Sequence, residues 1–317
     1  MKTATNLMKK LAAQLFPSNE VEQEAFLGAL LQPSGDKNQC VLWTGDHSDE
    51  LILAPKTTMP AWVPDFVDSM GDGPPVGKSQ AYADGRVYPM DFSSILTASA
   101  MLQIPASAVE RVLDVCAAPG GKSFFAKMAL QPDLLLSNEV IGKRLGILRH
   151  NLKKSGLDGC YTHSMEVHEL VPDCQRAFDA VLVDAPCSGQ SLLAKGIDNP
   201  GCFHPNIVKG NAKRQLKILT AASEAVASGG WLFYSSCTFA TRENEWVMEK
   251  FLANHLEFRA VVVDHLTPMR SALSEHPCYR IYPHRDGGAG GFVALLQRDD
   301  SAGRGDVSAR LLEYPVK

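Results

Sequence analysis

The chain is 317 residues long, 45% hydrophobic and 21% charged, which leaves room for two or three domains and a core that needs no disulfide staples. A mean hydropathy of −0.08 excludes a disordered or fibrous chain, and no apolar run approaches the roughly 18 residues of a membrane span. The net charge of −4 argues against binding nucleic acid by bulk charge alone.

An amphipathic helix is expected over residues 3–16. It carries Lys9 and Lys10 and lacks an apolar stretch followed by small residues, so it reads as a first helix rather than a signal peptide, and a cytoplasmic protein is expected. A second helix is predicted at 21–31, strands at 40–44 and 51–54, and a helix-like segment at 61–70. Gly71, Gly73, Pro74, Pro75 and Gly77 then mark a linker. This divides the chain into a small α+β domain, 1–77, and a larger domain, 78–317. From residue 111 short apolar runs alternate with helical stretches: 112–115 then 123–129, 134–138 then 143–155, 159–163, 180–184 then 207–227, and 230–235 then 243–254. Two late strands follow at 260–263 and 291–296. Strands apolar on both faces that alternate with helices predict a parallel sheet covered on both sides, a doubly wound α/β domain. Such sheets bind ligands beyond the carboxyl ends of their strands, so the chemistry is sought just after each strand.

Charge is unevenly placed. Residues 1–70 hold five basic and nine acidic residues, and the remainder holds 26 of each sign. Lys143, Arg144, Arg149, Lys153 and Lys154 form one basic cluster, and Lys209, Lys213, Arg214 and Lys217 another; each is either a solvated helix face or a contact surface for an anionic partner. The eight cysteines include no CxxC pair, so they are expected to be free thiols, with no metal site.

After the strand at 112–115 comes Asp114-Val115-Cys116-Ala117-Ala118-Pro119-Gly120-Gly121-Lys122-Ser123. Gly120 and Gly121 allow a tight turn, and the helix that starts there offers its positive end to a ligand. The spacing is neither GxxxxGK[ST] nor GxGxxG, which disfavours a P-loop nucleotide hydrolase. The next strand ends in Asn138-Glu139, where a carboxylate can accept both hydroxyls of a ribose. Together these suggest an adenosine-containing ligand. Two further strands end in Asp184-Ala185-Pro186-Cys187-Ser188-Gly189 and in Ser235-Ser236-Cys237-Thr238. A lone cysteine is usually a small buried hydrophobe, but two at equivalent strand ends beside a glycine-rich loop point to thiol chemistry.

The blocks DVCAAPGGKS, NEV, DAPCSG and YSSCTFATRENE, in this order, resemble the signatures of the RNA 5-methylcytosine methyltransferases of the RsmB/Nop2/Sun family. The resemblance runs from Tyr88 to Arg298 and includes RVYPMDFSS and RIYPHRDGGAGGF. It implies a class I S-adenosylmethionine-dependent methyltransferase fold, a Rossmann-like doubly wound sheet, acting as a monomer on structured ribosomal or transfer RNA without metal or membrane. It further implies that Cys116, Ala117, Ala118, Pro119, Gly120, Gly121 and Lys122 hold the methionine part of S-adenosylmethionine and Glu139 its ribose. Cys237 is then the nucleophile, Cys187 the group that removes the C5 proton and releases product, and Asp184 the residue that bonds the base near N3 while lying against the cofactor. The chemistry agrees. Cytosine C5 is a poor nucleophile until a thiolate adds at C6, so one cysteine must be activated, and Lys122 and the cofactor's sulfonium are the candidates for acidifying it.

Three positions depart from the family pattern. Met165 stands where an aspartate usually holds the adenine amine, between Ser164 and Glu166 as substitutes; Met90 replaces a common glutamine; and residues 190–196, expected with 199–206 at the RNA entrance, lack an Arg-x-x-Pro pattern. Two other readings are carried. A DNA cytosine methyltransferase would rely on Cys187 alone as nucleophile, and a non-catalytic RNA-binding or ribosome-assembly factor would keep the fold without the reaction. His204, His276 and His284 show no metal-ligand spacing, although His284 lies close to the last signature block.

Overall fold

The computed structural model describes residues 3–33, 39–45, 59–69 and 76–316. Helices α1 (Asn6–Leu15) and α2 (Glu20–Leu31) open the chain, each N-capped by a side chain: Thr5 accepts from the Met8 amide and Asn19 from the Glu22 amide. Strands β1 (Gln39–Trp43), β2 (Val67–Ser69) and β3 (Val87–Asp91) form an antiparallel sheet with β1 at its centre. This small sheet takes strands from both sides of residue 77, and its far strand runs through Asp91, which caps α4 (Phe92–Ala98), into the larger sheet's helical cover.

The larger sheet holds β4 (Arg111–Asp114), β5 (Leu134–Asn138), β6 (Cys160–His163), β7 (Phe178–Asp184), β8 (Val226–Ser236), β9 (Phe258–Ala260), β10 (Tyr279–Ile281) and β11 (Gly291–Arg298), in the order β10-β11-β8-β7-β4-β5-β6, with β9 also paired to β11. The pairs β6-β5-β4-β7-β8 are parallel, whereas β11 runs against β8, β9 and β10. Apolar layers cover both faces: Phe124, Phe125, Leu148 and Leu152 on one side, and Val181, Leu219, Val247 and Phe251 on the other. Helices α5 (Gly121–Leu130), α6 (Gly142–Ser155), α8 (Pro205–Ser223) and α9 (Glu245–Asn254) supply most of this cover, with α3 (Gln80–Ala83) and α7 (Val167–Leu170) as single turns. The chain winds outward from β4 to β6 and then returns to β7, so the order reverses between β4 and β7.

Several expectations are corrected. Residues 61–69 form turns followed by strand β2, not a helix; Pro64 removes an amide donor in mid-segment, and its carbonyl accepts from Val67 in a turn. The late strands do not extend a parallel sheet, because β11 is inserted in the reverse sense. The helix expected over 207–227 stops at Ser223, and β8 starts at Val226. The strand expected at 51–54 and the linker residues 71–75 lie outside the described residues, while Val76 and Gly77 begin a single 3-10 turn. Strands β3 and β10 and helix α4 had no counterpart in the sequence reading.

Candidate active site

The reversal between β4 and β7 opens a crevice at the carboxyl ends of these strands, the place where such sheets hold ligands. At the end of β4 the carboxyl of Asp114 is fully buried, accepts from Ser123 Oγ at 2.7 Å and the Cys116 amide at 3.3 Å, and is pushed up to about 7 by burial. The loop then turns at Gly120, whose φ of 119° only glycine adopts without strain. Helix α6 ties this loop down: Arg144 donates to the Ala118 carbonyl at 2.5 Å and Asn151 to that of Pro119 at 2.8 Å. Ala117 and Ala118 are buried, and Cys116 faces the cleft. The Cys116 thiol is held far above its ordinary value by burial and by the carboxylates of Asp114, Asp184 and Glu139.

The cleft has a volume of about 720 Å³ and joins Cys116 and Glu139 at one end to Asp184, Cys187 and Cys237 at the other. Glu139 is 2% exposed; its Oε1 accepts from the Ile141 amide at 3.0 Å. Its Oε2 has an ion-pair neighbour, Arg144 Nη1 at 3.0 Å, but no aligned hydrogen bond, so a buried acceptor is left for a hydroxyl. Val140, Ile141 and Val167 provide apolar walls beside it. These residues fit the ribose and the flat base of S-adenosylmethionine. Met165 is not part of that wall. Its backbone is bonded on both sides by Asn138, its side chain packs on the core, and Glu166, not Ser164, lines the cleft.

Asp184, the last residue of β7, accepts from Lys122 Nζ at 2.8 Å and from Ser235 Oγ at 2.7 Å, so two strand ends and α5 converge on one carboxylate. Cys187 and Cys237 place their sulfurs 3.1 Å apart as free thiols. Hydrogen bonding with Cys187 holds the Cys237 thiol below its ordinary value; burial and Asp184 oppose this, and Lys122 and Ser191 assist. The same bond, then burial, pushes Cys187 well above its ordinary value. The two shifts run in opposite directions, so Cys237 is the more acidic sulfur of the pair. Lys122 does contribute, as the sequence suggested, but the larger effect comes from the second cysteine. Alkylation of Cys237 by iodoacetamide should accordingly show a pH midpoint below that of an ordinary thiol, and in Cys187→Ala the midpoint should move up; rate against pH, with the site read by peptide mass, checks this.

The residues that hold the thiols together were missed by motif reading. Buried Glu243 accepts at Oε2 from the Ser188 amide at 2.9 Å and from Gln215 Nε2 at 3.0 Å, and Gln215 Nε2 also donates to the Pro186 carbonyl at 3.0 Å. Cys187 lies between these two anchored neighbours. Ser188 and Thr238 join the two cysteine loops through their hydroxyls at 2.8 Å, and Tyr234 Oη donates to the Glu243 carbonyl at 2.6 Å. The block TRENE was the available signal for Glu243; nothing local marked Gln215. His284 sits outside the site: it pairs with Glu22 of α2 at 2.7 Å and packs on Phe16 and Phe26. His204 caps α8 by accepting from the Asn206 amide. Among the described residues, no group of three His, Cys, Asp or Glu could hold a metal, and no helix is long and apolar enough to cross a membrane.

The strand order, the ligand crevice at its reversal and the buried Glu139 carboxylate just after β5 are those of the class I S-adenosylmethionine-dependent methyltransferase fold. The chain belongs to the 16S rRNA methyltransferase RsmB/F family, whose model matches residues 101–297, more than half of its length. It is 29% identical over 231 residues to the ribosomal RNA small subunit methyltransferase F of Serratia proteamaculans, covering 71% of this chain and 48% of that protein. The corresponding protein of Erwinia tasmaniensis is 30% identical over 229 residues, with 71% and 47% covered. The chain thus spans about half the length of these relatives. Among solved structures, NSun6 from Pyrococcus horikoshii, crystallised with SFG, superposes with a TM-score of 0.76 at 16% identity over 94% of this chain and 99% of that one, a likeness of fold.

Proposed function

We propose that this protein methylates C5 of a cytosine in structured RNA through a covalent cysteine adduct, with small-subunit ribosomal RNA as the substrate favoured by its relatives' names and transfer RNA as the other candidate. The observation that carries the reading is the pair of sulfurs 3.1 Å apart at the ends of neighbouring strands, one favouring the thiolate and the other the thiol, on the wall of the cleft that also holds Glu139. S-adenosylmethionine, held by Glu139 and the loop from Cys116 to Lys122, supplies an electrophilic methyl group when bound. The Cys237 thiolate adds to C6 of the cytosine and places electron density on C5. Asp184, fixed by Lys122 and Ser235, bonds the base near N3 and steadies the ring as that charge moves. Once Cys237 is bonded to C6, Cys187 gives up its own proton to solvent; its thiolate then takes the C5 proton, and departure of Cys237 as a thiolate restores the aromatic ring. Residues 1–77 help dock RNA beside the catalytic unit of 78–317, and the protein works as a monomer in the cytoplasm.

Covalent trapping tests this. Wild type, Cys237→Ala and Cys187→Ala are incubated with S-adenosylmethionine and small-subunit ribosomal RNA or transfer RNA, then run on a denaturing gel. Cys187→Ala should accumulate a protein–RNA adduct and Cys237→Ala none. The reverse dependence would favour a DNA-type mechanism with Cys187 as nucleophile, and no adduct with any variant would favour a binding factor.

A further inference from the structure

The two basic clusters meet different fates in the fold. On α6, Arg144 is committed to Glu139 and the Ala118 carbonyl, Arg149 donates to Thr162 Oγ1, and Lys154 lies 3.3 Å from the centre of the Tyr82 ring. Three of its five cations thus hold the protein's own structure. On α8, Lys209, Lys213, Arg214 and Lys217 are all exposed and form no ion pair or hydrogen bond with the described residues. Lys209, Lys213 and Lys217 recur every fourth residue, so they stand in one row down the helix, roughly 12 Å from first to last at 1.5 Å per residue. Arg214 and Lys217 line the catalytic cleft itself. Lys213 and Lys217 also line a shallow groove of about 450 Å³ with Leu216, Thr220, Ala221 and one carboxylate, Glu224, and Lys217 and Ala221 are common to this groove and the cleft. The opposite side of the same helix is buried and carries Gln215, which anchors the Cys187 loop.

We infer that the Lys209-Lys213-Lys217 row is the track for the RNA backbone that leads to the thiol pair, each ammonium meeting one phosphate of a single-stranded stretch next to the target cytosine. This rests on the proposed RNA substrate and adds which surface carries it. The assignment follows from continuity: the row ends on the cleft wall, whereas α6 spends its charge internally. A row of unpaired cations on one helix face also reconciles RNA binding with a net charge of −4. The buried face of α8 fixes the cysteine loop, so the helix that guides the backbone also sets the distance from track to nucleophile.

The test is the salt dependence of binding to a small-subunit ribosomal RNA transcript for wild type, K209Q/K213Q, K209Q/K213Q/K217Q and the α6 control K143Q/K153Q. Each lost phosphate contact on a single strand flattens the slope of log K against log salt by about 0.7, so the double variant should lose about 1.4 and the triple about 2.1, with no change for the control. Affinity of K209Q/K213Q for S-adenosylmethionine, measured by calorimetry, should match wild type, since neither lysine lines the cleft. An unchanged slope in K209Q/K213Q, or an equal loss in the control, overturns the track. If Cys187→Ala forms an adduct with the transcript while the lysine variants keep the wild-type slope, only the track falls; if the transcript is neither bound nor trapped, the proposed function falls and the track with it.

Discussion

Asp184→Asn should slow methylation by roughly 10²–10³-fold, about 3–4 kcal/mol of transition-state stabilisation, while making Cys237 more reactive toward iodoacetamide at neutral pH. The two effects have opposite signs because the carboxylate does two things. It is fixed by Lys122 at 2.8 Å and Ser235 at 2.7 Å where the proposed reaction needs a partner near N3 of the base. It also stands close enough to Cys237 for its charge to oppose formation of the thiolate. Asparagine keeps the volume and can keep the Ser235 contact, but it removes the negative charge and leaves Lys122 to act on the sulfur unopposed. The folded-state value of the Cys237 thiol then drops further, so more thiolate is present at a given pH. Single-turnover methylation and the alkylation rate, measured on one preparation, check this. General damage to the site would lower both, and a rise in alkylation with unchanged methylation would remove Asp184 from the reaction.

Much of this site could be read before any coordinates, for a physical reason: ligand-binding residues of an open α/β sheet are short local segments at strand ends. Gly120, Glu139, Asp184, Cys187 and Cys237 each follow an apolar run, and the fold only has to bring those runs side by side. What failed to show was non-local. The anchoring of Cys187 combines Glu243, just before α9, with Gln215 in the middle of α8, and a polar residue in a helix does not declare which face is buried. The direction of β11 was equally hidden, because an apolar run reads the same in a parallel or an antiparallel neighbour. The basic residues divide in the same way. The spacing on α6 resembled a contact surface, but only packing reveals that Arg144 is held by Glu139 and the Ala118 carbonyl. The segment at 61–69 is different, since Pro64 is a visible objection to a helix there.

Arg280→Met should destabilise the protein by about 3–5 kcal/mol, roughly 10 °C in melting temperature for a chain of this size, although Arg280, the first residue of the RIYPHRDGGAGGF block, takes no part in the proposed reaction. Arg280 is 3% exposed on β10 and grips Glu245 at the start of α9 with two bonds, Nε to Oε1 at 2.6 Å and Nη2 to Oε2 at 2.5 Å. Ser271 donates to Oε1 as well, and Arg280 Nη1 donates to the Phe239 carbonyl at 3.0 Å. Removing the guanidinium strands a buried carboxylate and an orphaned carbonyl two residues beyond Cys237. The cost is that of the uncompensated charge, not of the pair's net worth, so Arg280→Met/Glu245→Leu should recover most of the lost stability. Thermal melts of the single and double variants check this, and a double variant as unstable as the single would show that packing around Arg280, not charge, carries the loss. Activity separates the levels further. Phe239 packs against Phe26 of α2 with ring centroids 5.0 Å apart, so the segment after Cys237 is held from both sides. The double variant should therefore regain its melting temperature while, with Cys187→Ala added to trap the adduct, that adduct forms more slowly, because hydrophobic replacement restores the fold but not the hydrogen bond that fixes the Phe239 carbonyl.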